Sequence, residues 1–119
     1  MEISFERGFR GAVVARLRGR LDALESPTFE GLLAQRMDDG DGRLVLDFSA
    51  VDYISSAGLR SLLALARRAR ARDGRVVVCA LTGMVREVFD VAGFQAFLPV
   101  TETAAEAEAL LPSEDDLKS

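Results

Sequence analysis

Two adjacent serines stand at residues 55 and 56 in the stretch DYISSAGLR, between the apolar run LVLDF and a second apolar run, LRSLLALA. A serine hydroxyl in this setting has two uses. It can cap a helix by accepting a hydrogen bond from a backbone N–H of the first turn. It can also accept a phosphoryl group, because a helix N-terminus presents unpaired N–H groups and a partial positive charge that suit a phosphate. Read from the residues alone, Ser55 or Ser56 is most simply the N-cap, and the same helix start could also accommodate a phosphoserine.

Nucleophilic catalysis is a third chemistry, and the residue inventory argues against it. The segment Ile54–Ser55–Ser56–Ala57–Gly58 is one glycine short of a nucleophile elbow, and the chain contains no histidine to act as base. With one cysteine and scattered carboxylates, zinc sites and the usual nucleophile–base pairs lack parts, so neither a catalytic residue nor a metal site is expected. Cys79 sits inside VVVCAL and reads as a small buried side chain. Asp47 and Asp52 flank the serine region as a conceivable magnesium pair, but Asp47 reads as the end of a strand and Asp52 as support for the following turn. The single lysine, Lys118, lies near the C-terminus, and no glycine-rich phosphate loop precedes it. No cofactor is expected. A nucleotide-binding module using the same helix terminus is therefore weakly supported.

These residues must be positioned by the elements around them. Ile3 and Phe5 alternate with Glu2, Ser4 and Glu6, and after RGFRG the residues Val13, Ala15 and Leu17 alternate with Val14, Arg16 and Arg18, which predicts two half-buried strands forming an N-terminal hairpin. SPTFEGLLAQRM predicts a helix capped by Ser26, with Phe29, Leu32, Leu33 and Met37 inward. RLVLDF is a continuously apolar strand for the centre of a sheet. Leu59, Leu62, Leu63 and Ala66 recur at helical spacing with Arg60, Arg67 and Arg68 outward. RVVVCAL is a second buried strand. TGMVREVFDVAGF is a helix with Val85, Val88, Phe89 and Ala92 inward, and AFLPV is an edge strand. A last helix, TETAAEAEALL, turns Ala104, Ala107 and Leu111 inward. Strand–helix–strand units of this length require parallel pairing, so the expected class is α/β. The functional crevice of such a sheet lies beyond the carboxyl ends of its strands, where DYISSAGLR falls.

Composition sets outer bounds. The chain has 119 residues, half of them apolar, enough for one domain with its own core. We expect that domain over residues 1–111, with 112–119 as an acidic, disordered tail. The net charge of −4 is uneven, since residues 102–119 carry six acids against one lysine. Nothing is basic enough to predict direct nucleic-acid binding, and the arginines of 67–75 read as a solvated helix face. No apolar run is long enough to insert in a membrane, and the first residues lack the layout of an export signal, so a cytoplasmic location is expected. Oligomeric state is not indicated, because no helix carries a heptad seam.

GRLDA at 19–23 followed by LVLDFSAVDYISSAGLRSLLALARRAR at 44–70 resembles the anti-sigma factor antagonist family, whose fold is the STAS domain. The resemblance spans roughly residues 1–111. It implies a STAS fold: a mostly parallel central sheet of about five strands with an N-terminal β-hairpin and about four α-helices. The family pattern Asp-Ser-Ser-Gly-Leu matches Ser55–Ser56–Ala57–Gly58–Leu59, with Ser55 in the aspartate position and Ala57 in that of the second serine. This implies Ser56 as phosphoacceptor, with Ser55 as second choice. Asp22, from GRLDA, matches a family residue that lies near the acceptor and helps contact the kinase. The partner-binding set implied is thus Asp22, Ser55, Ser56, Ala57, Gly58 and Leu59. The implied partners are an anti-sigma factor that is also a serine kinase, and a serine phosphatase, in a bacterial partner-switching pathway. The resemblance also admits a different class of function, a constitutive structural subunit in a stress-signalling scaffold or beside the ATPase of a lipid transporter.

Overall fold

The structure is a computed structural model and describes residues 1–8 and 11–112. Five strands form one sheet in the order β1-β2-β3-β4-β5. They are β1 Glu2–Arg7, β2 Val13–Leu21, β3 Arg43–Ile54, β4 Arg75–Cys79 and β5 Val100–Thr101; the helices are α1 Ser26–Asp38, α2 Ser56–Ala71, α3 Gly83–Ala92 and α4 Ala104–Leu110. The β1–β2 hairpin is antiparallel and every other pairing is parallel. Alternation of apolar and polar residues in EISFER and the crossover lengths thus specify the architecture as expected, and the fold is α/β.

Helices α1, α2 and α3 cover one face of the sheet, where Phe29, Leu33, Leu62, Leu65, Val85 and Phe89 pack on Leu44, Leu46 and Phe48. Phe48, Phe89 and Phe94 meet edge to face, with ring centroids 6.1 and 5.3 Å apart, the geometry favoured by aromatic quadrupoles. Among the described residues the opposite face is covered by α4, through Ala107 and the adjoining Leu111, over Ala12, Val14, Val45, Val77 and Cys79. Val14, read as an outward-alternating position, is therefore buried.

Several sequence expectations change. Strand β3 does not end at Asp47 but continues through Asp52 to Ile54. Its register against β2 jumps from Asp47 to Ala50 and from Val51 to Tyr53 while β2 advances by fewer residues. These bulges put extra residues on β3 and break the apolar alternation, so that Ser49 and Ala50 are both exposed. Asp47 supports the first bulge by accepting the Ser49 amide at 2.9 Å. The carboxylate is buried and its other oxygen takes Arg16 at 2.7 Å, with Glu6 also bonded to that guanidinium. Asp52 is an exposed residue of the strand, not support for a turn.

In α1, Ser26 is the first helical residue and Glu25 the N-cap, so Ser26 is not the cap. Leu32 and Ala92 face solvent instead of the core. Of AFLPV only Val100 joins the sheet, together with Thr101, and Pro99 lies just outside it, because Phe94–Ala96 closes into a 3-10 turn. Cys79 is fully buried, as expected. Helices α1 and α2 are tied at their far ends by Arg68 and Arg72 on Asp38, and the Arg68 hydrogen bond holds that carboxyl below its ordinary range. The acidic tail beyond Pro112 lies outside the described residues.

Candidate functional site

The site is built at the carboxyl ends of β2 and β3. Their last registered pair is Leu21 with Ile54, so Asp22 and Ser55 each leave the sheet at adjacent strand ends. The Leu21 carbonyl then becomes the anchor of the next helix. It accepts the Ser55 amide at 3.0 Å and the Ser55 hydroxyl at 3.4 Å.

Ser55 has extended backbone, φ −97° and ψ 172°, and its Oγ accepts the Gly58 amide at 3.2 Å, making it the N-cap of α2. Ser56 follows as the first helical residue and is exposed. Among the described residues nothing hydrogen-bonds its hydroxyl. The two serines, equivalent in the sequence, thus have different tasks: one is consumed in capping and the other stands open. No acidic residue occupies the first turn of α2 to compete with an incoming anion.

Gly58 explains why the helix can start here. A Cβ at this position would stand 2.8 Å from the Leu21 carbonyl oxygen and 2.9 Å from both Ile54 Cγ1 and Leu21 Cγ, so only glycine permits the approach. Leu59 is partly buried against the main core and fixes the helix from the next position. Asp22 is a turn-former: its Oδ1 accepts the Glu25 amide at 2.9 Å, and its carbonyl accepts the Ser26 hydroxyl at 2.6 Å. These bonds hold the β2–α1 turn beside the start of α2.

The sequence reading missed a groove between α1 and α2. It has a volume of about 620 Å³, and its walls include Ala23, Pro27 and Gly31 on one side and Ala57, Arg60 and Ala64 on the other. Ala57 and Arg60 sit one and four residues past Ser56. Leu24, 84% exposed, projects from the same turn as Asp22. The signal was the small residues at helical spacing in both helices, visible only once α1 is known to lie against α2. Deeper in this interface Ser61, buried, donates to the Ser26 carbonyl at 3.5 Å.

Comparison with known proteins bears on this arrangement. The STAS domain family profile matches residues 7–107. The chain belongs to the STAS domain family. A curated protein of Bordetella bronchiseptica, named "Putative anti-sigma factor antagonist BtrV", is 40% identical over 99 residues, 83% of this chain and 85% of that protein. An anti-sigma factor antagonist from Mycobacterium paratuberculosis superposes with a TM-score of 0.82 at 24% identity over 91% of each chain. The Bacillus cell fate determinant SpoIIAA, solved in its phosphorylated form, gives a TM-score of 0.68 at 23% identity over 89% of this chain and 96% of that one. At these identities the two structures establish the shared fold. No described helix is long and apolar enough to cross a membrane.

The cap assignment has a measurable consequence. Ser55→Ala removes the acceptor for the Gly58 amide and is expected to lower stability by about 1 kcal/mol in urea unfolding. Ser55→Asp, which supplies another good capping oxygen, should unfold at nearly the wild-type midpoint. An alanine variant as stable as wild type would show that the Ser55 hydroxyl does not cap α2.

Proposed function

We propose that this STAS domain is an anti-sigma factor antagonist that acts by partner switching and is not an enzyme. In its unphosphorylated form it docks on a cytoplasmic anti-sigma factor serine kinase through Ser56 and its surroundings, Asp22, Ser55, Ala57, Gly58 and Leu59, and so releases the sigma factor held there. The kinase transfers the γ-phosphoryl group of ATP to Ser56 Oγ, the hydroxyl proton leaves, and ADP is released. Docking is then lost until a serine phosphatase hydrolyses the ester. Residues 1–111 form the switching unit in this reading.

The observation that carries the proposal is the division of labour between the serines. Ser56 is exposed and unengaged at the positive end of α2, whereas Ser55 is held in the cap. The kinship with BtrV and the existence of a phosphorylated form of SpoIIAA favour the same reading. The physics supports a switch acting on association. A phosphate adds about −1.5 to −2 charges at neutral pH, yet an exposed helix terminus stabilises a negative charge by only about 0.3–1 kcal/mol. The fold hardly responds, while a partner surface made for a neutral hydroxyl must desolvate or repel the dianion.

The test is incubation with the cognate kinase and ATP, followed by mapping of the phosphopeptide. One phosphate on Ser56, absent from Ser56→Ala and retained by Ser55→Ala, is the expected result. Stoichiometric labelling of Ser55 or of a residue outside this site would reject Ser56 as the acceptor.

A further inference from the structure

We infer that α4 is a detachable cover, able to lift from the sheet while the rest of the domain stays folded, and that Glu108 sets how readily it does so. The inference is independent of the role proposed for Ser56. Helix α4 spans only seven residues, and the anchors that it and Leu111 send into the second core are small in number: Ala107 and Leu111 buried, Ala104 partly so. Beside them lies Glu108, 8% exposed, whose Oε1 is inaccessible and, among the described residues, has no hydrogen-bond partner.

The carboxyl group is pressed against the β1–β2 connection at Gly8. A Cβ there would collide with Glu108 Oε1 and stand 2.8 Å from its Cδ, so the contact exists only because residue 8 is glycine. An unpaired polar oxygen in an apolar setting is stabilised by any motion that returns it to water. Strain lies beneath the same helix. Ala80, partly buried against this cluster, has φ 61°, a left-handed conformation unfavourable for a residue with a side chain. Within α4 the Thr103 hydroxyl and Glu106 carboxylate close a capping box with bonds of 3.1 Å, and at the hinge the Thr101 hydroxyl of β5 donates to the Thr103 carbonyl at 2.8 Å. That box holds the helix together without tying it to the sheet, so α4 leaves as a unit.

Lifting α4 bares Ala12, Val14, Val45, Val77 and Cys79 on the face opposite α2. The Ser56 region is left as it was. The sole cysteine therefore reports the motion. In the closed state burial, with help from Asp47 and Glu108, pushes its thiol up to about 12, so alkylation at mildly alkaline pH requires opening.

The experiment is iodoacetamide labelling of the whole chain across a series of low urea concentrations, followed by mass spectrometry, beside urea unfolding of the same proteins. For wild type we expect labelling faster than global unfolding allows, with a shallow urea dependence, because local opening exposes little surface. Glu108→Met, of similar length but without the polar oxygen, should slow labelling about tenfold or more, and Glu108→Gln should fall between. Labelling that follows global unfolding, with its full urea dependence, would overturn the inference. So would a Glu108→Met protein that labels at the wild-type rate.

Discussion

Ser56→Asp weakens binding to the anti-sigma kinase about tenfold or more, and stoichiometric phosphorylation of Ser56 weakens it about a hundredfold or more, while Ser56→Ala binds within a few-fold of wild type. These are the expected results of titration calorimetry with the cognate partner. They follow from where charge is added. Position 56 is exposed, and among the described residues its hydroxyl touches no hydrogen-bond partner, so neither variant removes an internal interaction. Surface substitutions of this kind change stability by about 0.5 kcal/mol or less. At a docked interface the same charge is desolvated, and each ~1.4 kcal/mol of that penalty is tenfold in affinity. Aspartate brings one charge and phosphate nearly two, which orders the effects. Salt should weaken the difference if the charge stays at the rim of the interface, and change it little if the charge is buried. Equal affinities for the alanine and aspartate variants would remove the switch and leave a constitutive binding role.

Gly58→Ala is expected to lower stability by about 1–3 kcal/mol, although alanine is the better helix former by about 1 kcal/mol. The added methyl meets three atoms closer than 3.0 Å, among them the Leu21 carbonyl oxygen. That oxygen cannot retreat freely, because it holds both the amide and the hydroxyl of Ser55. Relief therefore moves the start of α2 outward and loosens the cap, adding a loss of about 1 kcal/mol to an overpacking cost of about 1–3 kcal/mol. Urea unfolding measures the total, and hydrogen exchange at the Ser55 amide should quicken. Because Ser56 rides on the same turn, phosphorylation by the kinase should slow as well. An alanine variant with the wild-type midpoint and exchange rate would mean that the close approach of α2 to Leu21 is not required.

Much of this was legible in residue order. The alternation of EISFER and VVARLR identified the hairpin, and the unbroken apolar run LVLDF identified the central strand, because burial on both faces leaves no room for a polar period. The motif DYISSAGLR located the site at a strand end. Legibility failed where tertiary contacts override local pattern. Bulges on β3 put Ser49 and Ala50 together in solvent, so the apolar run stops at Phe48 while the strand continues to Ile54. Leu32 reads as core by spacing, but α1 touches the sheet along the narrower stripe of Phe29, Leu33 and Met37. Spacing in the last helix picks out Ala104, Ala107 and Leu111, and Glu108 is buried beside them only once α4 is laid over the sheet.

What the chain determines by itself is the order of its elements and the chemistry available at their ends: hydroxyls without a histidine, and a glycine two residues past Ser56. Period and composition are local properties, and they survive without knowledge of neighbours. Which serine caps and which stays free was decided only in three dimensions. It depends on a carbonyl 34 residues away, at Leu21, that β2 brings alongside Ile54 and that captures Ser55 alone. A hydrogen bond is directional and short, so two adjacent hydroxyls of identical chemistry separate into a structural and an available one as soon as the acceptor is fixed in space.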